Sequence, residues 1–308
     1  YAGTARIAAE ALGYDWENVV IERGDMRKGL PWNLGQFGSN TSFTMARTNY
    51  VAAMDAKKKL LEIAAKDLGG APDDYDLANE KVVSKADPSK SMTFAKAAQR
   101  AIELGGAYAG ATTPEAINAI TKGAVAMIAG SGLIGVAKDT LPKKGMVTTS
   151  TAAFVEIELD VETGQVEIVD LVGCADCGTV IHPQNLEHQV KSGMVMGLGM
   201  AMTERHVYDP KLGIPANVGY YQAKPPSYLD VPVNLQGGAV DKPDPQSPMG
   251  TKGVGEPPLG AAAAAVVSAI SDALGGHIFN RTPVTTDHIV NVLNKQPQAH
   301  RPLQVNSV

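Results

Sequence analysis

At 308 residues, 44% hydrophobic and 19% charged, the chain has the composition of a globular protein with two domains or one large one. A net charge of −5, with no Lys/Arg stripe interleaved with aromatics, argues against nucleic-acid binding. No apolar stretch reaches membrane-spanning length without a Gly, Pro or charge. The two cysteines, Cys174 and Cys177, argue against a disulfide framework and fit a reducing, cytoplasmic compartment. An opening at Tyr1, with no Met and no signal-like segment, reads as part of something longer.

In chain order, residues 4–12 read as a helix ending at Gly13, followed by a short strand from Val19 to Glu22. A Gly- and Asn-rich loop spans Gly29 to Ser42. A long helix follows from about Thr44 to Leu68, its apolar positions Val51, Leu60, Leu61 and Ala64 at helical spacing, and Gly69-Gly70-Ala71-Pro72 stops it. Residues 71–90 are polar, with one short strand at Val82-Val83. Thr93 to Leu104 is a helix capped by Thr93 or Ser91, and Thr113 to Met127 continues the helical content. The glycine-rich stretch Gly130 to Gly145 marks a boundary between two lobes, 1–145 and 146–308.

Beyond it the period changes to two. Phe154 to Asp160 and Gln165 to Gly173 alternate around a Glu162-Thr163-Gly164 turn, which predicts a β-hairpin with one wet face. A helix from Pro183 to about Thr203 carries Gly193, Gly197 and Gly199 in its interior. Each costs roughly 1 kcal/mol relative to Ala, so close approach to another backbone or a ligand is implied. A helix from Pro258 to Leu274, closed by Gly275, and a last helix from Thr286 to Leu293 complete the chain. Hairpins rather than regular βαβ units make the class α+β.

Three motifs are set aside. Gly130-Ser131-Gly132-Leu133-Ile134-Gly135 matches GxGxxG, but Pro142 leaves barely two turns for the helix that a dinucleotide site requires. Cys174-Ala175-Asp176-Cys177 matches CxxC but lacks a second ligand pair and follows a hairpin. His182, His188, His206, His277, His288 and His300 show no HxxxH or HxH spacing.

Three small-residue loops, each at a helix start, carry the chemistry. Gly35 to Thr44 gathers backbone N–H groups and hydroxyls at a helix N-terminus, which suits phosphate or serves as an ordinary cap. Asp176 to Gln189 precedes the Gly-rich helix. Pro248 to Gly260 holds Glu256 between three glycines and two prolines. A carboxylate on such a rigid, mostly apolar turn is expected to be poorly solvated and tuned as a general base, or else to cap the following helix. Three converging loops would suit one extended anionic cofactor with a base beside its reactive end.

These segments resemble the molybdenum hydroxylases, the xanthine dehydrogenase and aldehyde oxidoreductase group. Gly253-Val254-Gly255-Glu256-Pro257-Pro258-Leu259 before an Ala-rich helix is similar to that family's active-site glutamate signature. Gly38-Ser39-Asn40-Thr41-Ser42-Phe43-Thr44-Met45-Ala46-Arg47 looks like its pterin- and phosphate-binding loop. Asp176 to Pro183, Gln189-Val190, and Gly193 to Gly199 resemble its cofactor-enclosing segment. The four motifs keep the family's order and rough spacing over nearly the whole chain.

The resemblance implies a molybdopterin-binding fold of two α+β lobes with antiparallel hairpins, and a mono- or dinucleotide form of the cofactor. Glu256 would act as the base that deprotonates a metal-bound hydroxide while its oxygen attacks an electrophilic carbon of an N-heterocycle, aldehyde or related small molecule, with water as the oxygen source. Gly38, Ser39, Asn40, Thr41, Ser42, Thr44, Gln189, Gly193, Gly197, Lys252, Gly253, Val254 and Gly255 would hold the cofactor, Gly193 and Gly197 by letting their helix lie close to it. No side chain of this chain would ligate the metal. Electrons would leave to partners carrying a 2Fe–2S cluster and FAD, and the rest of the molybdenum subunit would lie in another part of the same chain or in a separate one. Asn40 stands where many bacterial relatives have Arg, and His182 where they often have Asn. A cofactor-holding subunit without chemistry, and a nicotinamide-dependent dehydrogenase built around Gly130, are the alternatives.

Overall fold

The computed structural model describes residues 2–28, 30, 31, 33 and 35–300; Tyr1, and Gly29 at the start of the expected loop, lie outside the described residues. The chain divides into two compact units, Tyr1–Val147 with Pro243–Lys252, and Thr148–Lys242 with Gly253–Val308. A linear division at 145/146 does not represent the excursion of Pro243–Lys252 into the first unit.

In the first unit, α1 (Ala2–Leu12) buries Ile7 and Ala9 and packs against α2 (Thr41–Leu68). The expected strand at Val19–Glu22 does not form. Val19 is extended, but the stretch pairs with no neighbour in either sheet, and an unpaired strand has no ladder to hold it. α2 begins three residues earlier than its apolar periodicity, so Thr41 and Ser42 lie in its first turn. Residues 75–93 form a three-stranded antiparallel meander, β1 (Tyr75–Ala78), β2 (Lys81–Ser84) and β3 (Ser91–Thr93), where the sequence predicts a single strand. Asn79 and Glu80 turn the first hairpin with φ of 50° and 56°, the left-handed pair that matches strand twist.

Thr93 caps α3 (Phe94–Leu104) by accepting from the Lys96 amide at 3.2 Å. Leu60 and Ile63 of α2, Tyr75, Val82 and Met92 of the sheet, and Ala97 and Ala101 of α3 form the core. The helix expected from Thr113 starts only at Ala119, as α4 (Ala119–Ile128), because Asn118 is its cap and Pro114 interrupts the stretch before it.

The second unit is built on β4 (Thr151–Leu159) antiparallel to β5 (Val166–Asp176), the hairpin read from the alternation. Parallel to β5 runs β6 (Asn234–Val240), from Asp170 opposite Asn234 to Asp176 opposite Val240. Three helices flank this sheet in the chain: α5 (Pro183–Met202), the short α6 (Tyr220–Ala223) and α7 (Pro257–Ala273), and α8 (Thr286–Leu293) follows. Leu171, Val190, Met194, Leu198, Ala262, Val266, Ile270 and Ile289 are buried together at its centre.

Candidate functional site

In the first unit the site begins at the turn before α2. Gly38 and Ser39 have φ of 59° and 52°, which folds the chain sharply into the helix. Asn40 occupies the N-cap position with helical dihedrals, and its side chain makes no capping hydrogen bond. The first amides of a helix have no intrahelical acceptor, so they are presented to an outside group. Beside them the Thr41 hydroxyl is buried with no hydrogen-bond partner. A buried orphan hydroxyl costs roughly 1–3 kcal/mol, and an acceptor oxygen placed there would recover it. The turn therefore fits a phosphate-bearing ligand.

Thr44 closes the first turn of α2. Its hydroxyl donates back to the Asn40 carbonyl at 3.1 Å, so its one proton is engaged within the helix. Ser42 contributes through its backbone, its carbonyl accepting from the Thr251 hydroxyl at 3.2 Å.

The second unit carries Gln189, Gly193 and Gly197 on α5 and Glu256 at the start of α7. Gln189 is exposed, one residue before fully buried Val190. Gly193 and Gly197 face α7 and its entry loop. A Cβ at Gly193 would lie 2.9 Å from Pro258 Cβ, and one at Gly197 would lie 2.6 Å from the Leu259 carbonyl oxygen and 2.8 Å from Ala262 Cβ. On the side where a Cβ would stand, the space over each Cα is filled by α7 and its entry loop. The sequence implies close approach to another backbone or a ligand, and the structure shows such an approach to the backbone of α7.

Glu256 occupies the N-cap position of α7 without a side-chain capping bond, and the residue is exposed. Its expected withdrawal from water is therefore not found, because the apolar neighbours on its turn point elsewhere. Val254 enters the core, Pro258 is buried against Gly193, and the Gly253 carbonyl accepts from the Thr149 hydroxyl at 2.7 Å. The carboxylate is thus carried on a backbone anchored on both sides while its side chain stays at the surface. Lys252, the last residue of the first unit, is half-buried.

The motifs set aside have other uses. Gly135 lies against α2, where an added Cβ would meet the Ala52 carbonyl oxygen at 2.4 Å, and no helix opens between Gly130 and Pro142. Nearby, Lys59 is buried and reaches both the Ile134 carbonyl at 2.7 Å and Asp55 at 2.6 Å, pinning this segment to the helix. Cys177 is buried, and that burial pushes its thiol pKa up, away from the thiolate that redox chemistry or metal binding needs.

One buried joint lies at the end of the segment that resembles the pterin and phosphate loop. Arg47, eight residues past Ser39 on α2, is almost fully buried and gathers Asp139, Leu141, Pro142 and Gln246 around one guanidinium. Nothing local announces partners up to 199 residues away.

Among the described residues no helix is long and apolar enough to cross a membrane. A family model, the molybdopterin cofactor-binding domain, matches residues 1–232. The aldehyde oxidoreductase molybdenum-binding subunit PaoC of Escherichia coli strain K12 is 28% identical over 304 residues, 95% of this chain and 35% of its own length. The nicotine 6-hydroxylase large subunit of Paenarthrobacter nicotinovorans is 27% identical over 298 residues, 93% of this chain and 33% of its own. Among solved structures, quinoline 2-oxidoreductase from Pseudomonas putida 86 superposes with a TM-score of 0.76 at 26% identity, covering 96% of this chain and 35% of that one. The chain thus spans about a third of the length of the curated relatives it matches.

Proposed function

Because this chain belongs to the molybdopterin cofactor-binding domain family, we propose that it forms the cofactor-holding and proton-accepting part of a molybdenum hydroxylase large subunit. The observation that carries the reading is the buried, unpartnered Thr41 hydroxyl in the first turn of α2, in the segment where the sequence resembles a pterin and phosphate loop.

In this reading the turn Gly38–Ser42 donates hydrogen bonds to the cofactor's phosphate end through its amides and the Thr41 hydroxyl. Gln189, exposed on α5, offers its amide to the cofactor, and Lys252 to Gly255 line it with backbone. Gly193 and Gly197 act at one remove, by letting α5 seat the loop that carries Glu256. When bound, the cofactor supplies two-electron oxidation of a substrate carbon, which no side chain of this chain can carry out. Glu256 accepts, at a carboxylate oxygen, the proton released as a water-derived oxygen bonds to that carbon. An anchored carboxylate is suited to this, since orientation of the base is worth more than its strength alone. The substrate is a small molecule with an electrophilic carbon, an N-heterocycle or an aldehyde. Electrons pass to partners bearing iron–sulfur and flavin groups, and the remaining part of the large subunit completes the site.

Elemental analysis of the natively purified complex tests this reading, with about one molybdenum per copy expected. Glu256→Gln should keep that metal while turnover falls by about 10²–10⁴-fold. Metal-loaded variant complex with near-normal turnover would remove Glu256 from the chemistry. An intact complex without molybdenum would leave a subunit that keeps the fold and has lost the cofactor.

A further inference from the structure

We propose that Arg47 is a positioning residue, whose guanidinium ties the stem of the Glu256 loop to the same helix whose first turn meets the cofactor. Nε and Nη2 of Arg47 hold both Asp139 carboxylate oxygens, at 2.7 and 3.0 Å. Nη2 also donates to the Leu141 carbonyl at 2.5 Å, and Nη1 to the carbonyls of Pro142 at 3.1 Å and Gln246 at 2.7 Å. These bonds engage all five donors that a guanidinium has, and the residue is only 4% exposed. Such a group is a fixed joint: a fork with every tine occupied cannot be replaced by the single point charge of lysine.

What it joins is specific. The segment Pro243–Lys252 closes on itself, with Gln246 N donating to Asp244 Oδ1 at 2.8 Å, Gly250 N to the Ser247 carbonyl at 3.0 Å, and Thr251 N to Ser247 Oγ at 3.1 Å. It meets α2 at two places, the Gln246 carbonyl on Arg47 and the Thr251 hydroxyl on the Ser42 carbonyl at 3.2 Å. Gln246 is held a second time, its side-chain oxygen accepting from the Lys144 amide at 2.6 Å. Thr251 is 1% exposed. Ser42 and Arg47 of α2 therefore hold the segment whose end, Lys252, stands four residues before Glu256. With every donor taken by protein, Arg47 acts only through the segment it holds. It sets where the chain leaves for Glu256, and misplacing a base by about 1 Å can cost about 100-fold in rate.

The geometry stands by itself, whereas the consequence for catalysis rests on the cofactor reading above. The test uses the natively purified complex carrying Arg47→Lys, Arg47→Met or Asp139→Asn. Three quantities are read: molybdenum per copy, the rate of trypsin cleavage after Lys252, and kcat and KM for whichever of benzaldehyde, quinoline and nicotine the wild-type complex oxidises.

Arg47→Lys should keep its molybdenum and a KM within about twofold of wild type, while kcat falls by about 10–100-fold. Cleavage after Lys252 should quicken by about tenfold as the segment opens more often. Arg47→Met should be worse on both counts, so that lysine rescues in part. Unchanged kcat and cleavage in metal-loaded variants would overturn the assignment. So would loss of activity strictly in step with loss of molybdenum, or failure of all three variants to assemble, since either makes Arg47 a support of the whole unit. A wild-type complex without molybdenum would instead overturn the cofactor reading, while the cleavage rate still reports on the tether.

Discussion

Single positions in this chain are constrained by what already occupies the neighbouring space. At Gly197 a methyl group would gain about 1 kcal/mol of helix propensity. It would also be driven to 2.6 Å from a backbone carbonyl and 2.9 Å from a backbone nitrogen of α7, neither of which can swing aside. Overpacking of that kind costs about 1–3 kcal/mol, so Gly197→Ala should lower stability by about 1–2 kcal/mol. Gly260, on α7 itself, would place the same methyl group in open space, and Gly260→Ala should raise stability by up to about 1 kcal/mol. Urea unfolding of the pair reads the difference, and equal shifts would mean that α5 and α7 separate easily. Thr41→Val makes a sharper comparison. Without cofactor it removes an unpartnered hydroxyl at nearly constant volume, so stability should hold or rise by about 1 kcal/mol. In the loaded complex it removes a donor to an anionic group, and cofactor loss on dilution should quicken by about tenfold. A variant that loses stability in the cofactor-free state would place that hydroxyl in the fold, with no part in binding.

At the scale of elements, α8 shows how a cap and a neighbouring ring set pH dependence. Thr285 donates to Asp287 and its amide donates to His288 Nδ1, while the His288 and His300 rings meet edge to face with centroids 5.0 Å apart. Burial pushes the His300 pKa down, helped by the nearby Arg281 and His288 and opposed by Asp287. A histidine whose folded pKa lies below the unfolded value of about 6.5 binds protons more readily when unfolded. Its contribution is therefore full above about pH 6.5 and is lost as pH falls toward the folded value. Amide exchange in α8 and residues 296–300 should quicken between pH 7 and pH 5.5 beyond the intrinsic pH trend, and His300→Gln should abolish that excess. Excess exchange that persists in His300→Gln would assign it to another group.

Elements that a local pattern decides were legible in the sequence. The β4–β5 alternation, the Thr93 cap and the Gly69 stop each state a period or a dihedral within a few residues. β6 was not legible, because Gly237 and Gly238 strip it of strand propensity and its ladder exists only along the edge of β5. The exposure of Glu256 was equally out of reach: sequence showed an apolar turn, but the direction of each side chain on it is a property of the packed structure.

For the whole molecule, what stands out is apolar surface that nothing in the described residues covers. Tyr220, Tyr221, Tyr228, Leu229 and Val233 are 81–98% exposed within fourteen residues of the second unit. Isolated exposed apolar residues are ordinary, but several in one short stretch make a patch that favours association. The chain also spans only about a third of the curated relatives it matches, so expressing these residues by themselves removes whatever the remaining length contributes. The 308-residue chain should then self-associate at micromolar concentration and bind a hydrophobic dye. Replacing Tyr220, Tyr221, Tyr228 and Leu229 together by Ser should suppress both without shifting the unfolding midpoint, because side chains this exposed contribute little to the core. Sedimentation velocity checks the first claim and dye fluorescence the second. A monomer that binds no dye would show that the aromatic rings cover one another in solution, and a midpoint that falls in the Ser variant would place them in the fold.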